Sequence, residues 1–134
     1  LKTEGAFHTY LMVQAAREFR KELDAVEFNT ANCKVLSNYT GVAHEETPDS
    51  IRTRLFFQLF APVNWVGCVA SAVGAGTDVF VEFGGGIGSG EGPADKKPNL
   101  QSIIKKNLRA LEQDAAYFAA INVESIKAAA AELN

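Results

Sequence analysis

Apolar side chains recur every three or four residues from Tyr10 to Val26, with Met12, Ala15, Ala16, Phe19, Leu23 and Val26 on one side of a helical wheel. Arg17, Glu18, Arg20, Lys21, Glu22 and Asp24 fall on the other side, so the spacing predicts an amphipathic helix over residues 10–26. Asn29 and Asn32 end that periodicity. Lys34 to Asn38 then reads as a short buried strand closed by Thr40-Gly41. Thr47 can cap a second helix, and Pro48 takes its first position, where the missing N–H costs nothing. Ile51, Leu55, Phe56 and Leu59 form its apolar stripe, and Ala61-Pro62 breaks it. A third helix starts near Val63-Asn64-Trp65, turns Val66, Val69, Ala70 and Val73 inward, and stops at Gly74 and Gly76.

Asp78 to Phe83 is the strongest strand signal, being mostly β-branched and aromatic. A glycine-rich loop from Gly84 to Gly92 and a basic turn with Lys96, Lys97 and Pro98 follow it. Leu100, Ile103, Ile104, Leu108 and Leu111 predict a fourth amphipathic helix with Lys105, Lys106 and Arg109 outside. The remainder is alanine-rich and reads as a helical or loosely docked tail, giving a body over 1–113 and a tail over 114–134. Two strands separated by two helices imply a parallel pair, which needs cover on both faces. The fold class is therefore α/β, with helices packed on a few parallel strands. Two strands cannot complete such a sheet, so its remainder is expected in polypeptide outside this sequence.

Composition narrows the field. A chain of 134 residues can bury one core, and 47% hydrophobic with 22% charged residues is ordinary for a globular domain. A net charge of −3 provides no field for nucleic acid or an anionic membrane surface. The apolar run Leu55–Val63 is interrupted by Gln58 and Pro62 and is too short to span a bilayer. No signal peptide is evident, and without an initiator methionine Leu1 reads as a processed or truncated start. Cys33 and Cys68 stand far apart, which argues against a disulfide framework or zinc site and suits a reducing compartment. Both are expected to be small core residues. No metal or cofactor is expected.

The candidate chemistry lies in Gly5-Ala6-Phe7-His8-Thr9, between a flexible glycine and the first helix. Thr9 is placed to cap that helix, which would hold His8 in a fixed position with its ring free to face a cleft. An imidazole there can take and return a proton near neutral pH; it can equally just pack or cap. His44 lies in an acidic loop and reads as solvated. The glycine-rich loop lacks both the Gly-Lys-Ser/Thr ending of a P-loop and the spacing of a dinucleotide fingerprint, and reads as a mobile turn.

Four segments, in order, resemble the malonyl-CoA–acyl carrier protein transacylases and, more widely, the acyltransferase domains of fatty-acid and polyketide synthases. They are Gly5-Ala6-Phe7-His8-Thr9 with Leu11-Met12; Val35-Leu36-Ser37-Asn38-Tyr39-Thr40-Gly41; Gln58-Leu59-Phe60-Ala61-Pro62-Val63-Asn64-Trp65; and Phe80-Val81-Glu82-Phe83-Gly84-Gly85-Gly86. The match runs over about residues 4–110 and corresponds to the C-terminal portion of the usual enzyme. The resemblance implies a two-step malonyl transfer through a serine ester, with malonyl-CoA and acyl carrier protein as partners. His8 would be the base and then the acid, and the main-chain carbonyl of Gln58 would fix its ring. Phe7 would press on the malonyl methylene and leave little room for an α-methyl branch. Lys96, Lys97, Lys105 and Lys106 would either meet phosphates or acidic carrier protein, or form a solvated face.

Departures from the family pattern are equally plain. No Gly-His-Ser-Leu-Gly nucleophile elbow occurs in the sequence, and none of Ser37, Ser50, Ser71, Ser89, Ser102 and Ser125 sits in one. The family's glycine–proline–glycine turn is Gly84-Gly85-Gly86, and the usual proline after His8-Thr9 is Tyr10. Two expectations follow. In one, the chain is the C-terminal portion of a transacylase whose serine half is missing or supplied by another chain, so that the chain alone is inactive. In the other, it is a truncated non-catalytic relative that serves as a binding or structural subunit. The family's compartments are bacterial cytoplasm and plastid stroma.

Overall fold

In the computed structural model, which describes residues 5–133, the first helix begins as a 3-10 turn over Tyr10–Met12 and continues as α1, Val13–Ala25. Leu1, read above as a processed start, and the outer ends of the body and tail segments lie outside the described residues. Thr9 has the extended backbone of a cap, yet its hydroxyl makes no capping bond. It donates instead to the Ala6 carbonyl at 2.7 Å, closing the turn around Phe7 and His8. Ala16 and Leu23 are the buried positions of α1. Arg20–Asp24 and Lys21–Glu18 pair on its exposed side, where such pairs add only a few tenths of a kcal/mol, ~0.3–0.5.

Helix α2, Pro48–Gln58, starts as its sequence predicts: Thr47 Oγ1 accepts the Ser50 amide at 3.4 Å and Pro48 holds the first position. It packs on α1. Arg52 joins the two helices: Nε donates to the Leu23 carbonyl at 3.1 Å and Nη2 to that of Val26 at 2.8 Å. These are carbonyls at the end of α1, where the helix itself offers few partners. The same guanidinium lies 5.3 Å over the Phe28 ring.

The strand expected over 34–38 is not formed. Leu36 makes a single antiparallel bridge to Ala43 around a tight reversal. Ser37 drives that reversal: its buried hydroxyl accepts from the amides of Tyr39 and Thr40, and its carbonyl accepts from Gly41, whose φ is +75°. These local hydroxyl–amide bonds hold the turn that folds the segment back on itself, so it pairs only with residues 42–44. Asn64 ties this turn to α3, Trp65–Gly74. Its side-chain oxygen accepts the Gly67 amide at 3.0 Å, and its nitrogen donates to the Thr40 carbonyl at 3.2 Å. Cβ atoms added at Gly41 or Gly67 would fall within 2.6 or 2.7 Å of Asn64 Nδ2, so both positions need glycine. Tyr39 stacks on Phe57, and Phe56 and Phe60 meet the latter ring and each other. Cys68 is buried, and its burial pushes the thiol pKa up; Cys33, expected in the core, is exposed.

The described chain forms two compact units, one through Ala72 and one from Val73. In the second, β1, Val79–Phe83, pairs in parallel with β2, Ala116–Ala120, in a register from Val79↔Ala116 to Phe83↔Ala120. Helix α4, Gln101–Ala110, lies between the two strands in sequence, and α5, Val123–Leu133, packs on β2. The chain is therefore α/β with a small parallel sheet, but the partner of β1 lies in the supposed helical tail rather than at 34–38. Tyr117-Phe118 at the centre of β2 and pairing along β1 override the helix preference of the flanking alanines.

Glu82 organises this unit. Its buried carboxylate accepts the amides of Asn99 at 2.7 Å and Leu100 at 2.8 Å, at the start of α4, and the hydroxyl of Tyr117 on β2. Burial would raise its pKa, but the Tyr117 hydroxyl and the two amides outweigh it and hold the carboxyl below the usual range. The Tyr117 phenol is pushed upward by burial, then by the Glu82 bond and charge. Beyond β1, the glycine-rich segment is closed by the Ile87–Lys97 bridge and by Lys96, whose Nζ donates to the carbonyls of Gly88 and Gly90. Lys96 is thus a strut of this loop rather than part of a solvated basic face. Among the described residues, no helix is long and apolar enough to cross a membrane.

Candidate active site

Helix α2 ends at Gln58, and its last carbonyls lack intrahelical partners. The chain bends away through Phe60-Ala61-Pro62, leaving the oxygens of Gln58 and Leu59 to the segment around His8. The His8 amide donates to the Leu59 oxygen at 2.9 Å, and His8 Nδ1 lies 2.8 Å from the Gln58 oxygen. A carbonyl can only accept, so Nδ1 carries the proton and Nε2 keeps the lone pair in the neutral ring. His8 is exposed, and its φ of +63° is in the left-handed region, which costs a non-glycine residue on the order of 1–3 kcal/mol. The two bonds to α2 and the Thr9–Ala6 bond hold it there. The result is an imidazole of fixed tautomer whose free nitrogen can accept a proton.

His8 and Gln58 therefore meet through one ring nitrogen and one main-chain oxygen. Phe7 adjoins them in sequence, is 53% exposed, and turns its ring over Gly5. Among the described residues no serine hydroxyl bonds to His8; Ser37, Ser71 and Ser125 are engaged in turns and caps. Nor does any group of three or more histidine, cysteine, aspartate or glutamate side chains lie so as to hold a metal. The Leu59 carbonyl went unnoticed in the sequence because a main-chain contact leaves no trace in side-chain identity. Glu82 leaves one, a charge within an apolar strand.

A separate cleft of about 260 Å³ involves Cys33, Lys34, His44 and Glu46 and shares no residue with the His8 site. His44, expected to be solvated, has its Nδ1 buried without a partner. Burial first, and the Arg54 charge second, push its pKa down.

The described elements form part of an α/β domain, and solved malonyltransferase structures share that fold. Both sequence and structure are similar to malonyl-CoA–acyl carrier protein transacylases. The chain is 33% identical over 86 residues to the Bacillus subtilis (strain 168) protein of that name, matching 64% of this chain and 27% of the relative. It superposes on the transacylase of Clostridium perfringens with a TM-score of 0.77 at 25% identity, covering 99% of this chain and 37% of that one. A malonyl-transacylase solved in complex with its type II PKS acyl-carrier protein shares the fold, with a TM-score of 0.79 at 22% identity and 38% of its length covered. The chain thus spans about a quarter of the curated relative it matches, 27% of its length. No protein-family model matches it.

Proposed function

We propose that this chain contributes the histidine segment of a malonyl-CoA:acyl carrier protein transacylase, with the serine supplied by polypeptide outside this sequence. The observation that carries the reading is the bond from His8 Nδ1 to the Gln58 carbonyl, which leaves Nε2 as a base. In the first step Nε2 takes the serine proton as the oxygen attacks the thioester carbonyl. The C–S bond breaks, and the CoA thiolate receives that proton. In the second step the carrier's pantetheine thiol gives its proton to Nε2 and attacks the malonyl ester. The C–O bond breaks, and the serine oxygen takes the proton back. A neutral carbonyl partner orients the ring through both steps without adding charge. Phe7 stands beside the acyl α-carbon. The reading carries with it the family's compartments, bacterial cytoplasm or plastid stroma.

Malonyl transfer from labelled malonyl-CoA to holo-acyl carrier protein, measured on the chain in its native assembly, tests this. His8→Ala is expected to lower the rate ~10²–10⁴-fold, the usual worth of a general base. A rate indifferent to His8→Ala would overturn the reading.

A second reading is a non-catalytic subunit; exposed apolar side chains such as Tyr10, 78% exposed, and Phe83, 80% exposed, suit cover by another polypeptide under either reading. An assembly that retains the chain but shows no transfer would select it.

A further inference from the structure

We propose that Thr9 is a positioning residue for His8: its hydroxyl bonds back to the Ala6 carbonyl rather than forward to the first helix, and this keeps the imidazole turned toward Gln58. The catalytic half of this rests on the transacylase reading above; the conformational half does not.

Thr9 stands at the N-cap of the first helical turn with φ −132° and ψ 163°, the extended backbone of a capping residue. An N-cap hydroxyl ordinarily accepts an amide two or three residues further on. Here it accepts none, and donates to the Ala6 oxygen at 2.7 Å, three residues back. That bond spans Phe7 and His8, and His8 has a φ of +63°. Left-handed backbone is unfavourable for a residue with a Cβ, so an unrestrained His8 returns to negative φ. The His8 amide is anchored on the Leu59 oxygen at 2.9 Å. With the nitrogen held, a change in φ rotates the Cα–Cβ bond about the N–Cα axis and carries the ring with it. The 2.8 Å contact of Nδ1 with the Gln58 oxygen is lost in that rotation. Thr9 opposes it by tying the residue after His8 to the residue before Phe7. The Thr9–Ala6 bond is exposed, and such a bond contributes only modestly to global stability. Its effect falls on which turn is populated, not on whether the chain folds.

Thr9→Val removes the hydroxyl at nearly constant shape, and Thr9→Ser restores the donor without the methyl. In 15N NMR of the neutral His8 ring in the full chain, the proton is expected on Nδ1 in the wild type and in Thr9→Ser. Thr9→Val is expected to show both tautomers in exchange. Wild-type ring signals in Thr9→Val, even with a lowered denaturant midpoint, reduce Thr9 to a structural residue and overturn the proposal; so does tautomer exchange in Thr9→Ser. Thr9→Ala, which lacks the β-branch, repeats the comparison where Thr9→Val does not fold. On the wild type itself, the three-bond couplings about χ1 of Thr9 are expected to report one rotamer, and averaged couplings overturn the bond. On the native assembly, Thr9→Val is expected to lower kcat for malonyl transfer ~10–100-fold, the order of loss from misplacing a reacting group by about 1 Å. KM for malonyl-CoA should stay unchanged, and Thr9→Ser should restore kcat. An unchanged kcat in Thr9→Val overturns the catalytic half. A wild-type assembly that transfers no malonyl group sinks the transacylase reading and, with it, that half; the ring spectra still decide whether Thr9 holds His8.

Discussion

The His8 ring is bound to the main-chain oxygen of Gln58, not to its side chain. The identity of residue 58 should therefore matter little to the tautomer. Gln58→Ala is expected to keep the proton on Nδ1, as read by 15N NMR of the His8 ring, and to hold any transfer rate within a few-fold of wild type. Loss of the Nδ1–H signal in that variant would contradict the geometry.

Acyl transfer by this chemistry needs a serine hydroxyl within ~2.6–3.2 Å of the free nitrogen. No described serine bonds to His8, and a lone imidazole lacks the positioning and oxyanion donors that supply much of the acceleration. The purified 134-residue polypeptide by itself is expected to acquire no stable malonyl ester from malonyl-CoA. Intact mass after denaturation is the check; a stoichiometric adduct on any of its serines would require a different nucleophile.

Asn64 fills the space that Cβ atoms at Gly41 and Gly67 would need. Gly67→Ala would gain helix propensity of about 0.8–1 kcal/mol in an open setting, yet here it meets Asn64 atoms within 2.9 Å, so it is expected to destabilise. Gly41→Ala adds strain at a φ of +75° and should cost at least about 1 kcal/mol. Denaturant midpoints measure both. An increase in either would show that Asn64 yields without loss.

The Glu82 carboxyl is held below its ordinary range, so its contribution is present above the unfolded-state value of ~4.3. It is lost as pH falls through the folded-state value. Acid should therefore weaken the wild type more than Glu82→Gln, while at pH ~7 that variant is weaker by about 1.5–3 kcal/mol, the worth of hydrogen bonds to a charged group. Equal acid sensitivity of the two proteins would remove Glu82 from the account.

Local patterns were legible where one element settles its own shape. The Thr47-Pro48 start of α2, the Ala61-Pro62 break and the β1 run need no distant partner to be recognised. Lys34 to Asn38 and Ala116 to Ala120 were misread for opposite reasons. The first has strand-like residues, but the chain reverses just after them and they pair only with the return segment, Ser37 N–H to Val42 and His44 N–H to Val35. The second has alanines that favour a helix until β1 offers parallel hydrogen bonds. At the candidate site, His8 stood out by its setting, and Gln58 came from resemblance alone. Seating of the Phe7 ring on Gly5 and the Leu59 contact depend on backbone angles that residue types do not reveal.

Arg52 reaches the carbonyls of Leu23 and Val26 from a position 29 residues beyond the first of them. The last turn of α1 is therefore completed by a side chain that arrives only when α2 docks. The end of α1 thus gains these partners only together with the docking of α2, which couples the two helices. Native-state hydrogen exchange should show the amides of the last turn of α1 opening together with those of α2 rather than fraying ahead of them.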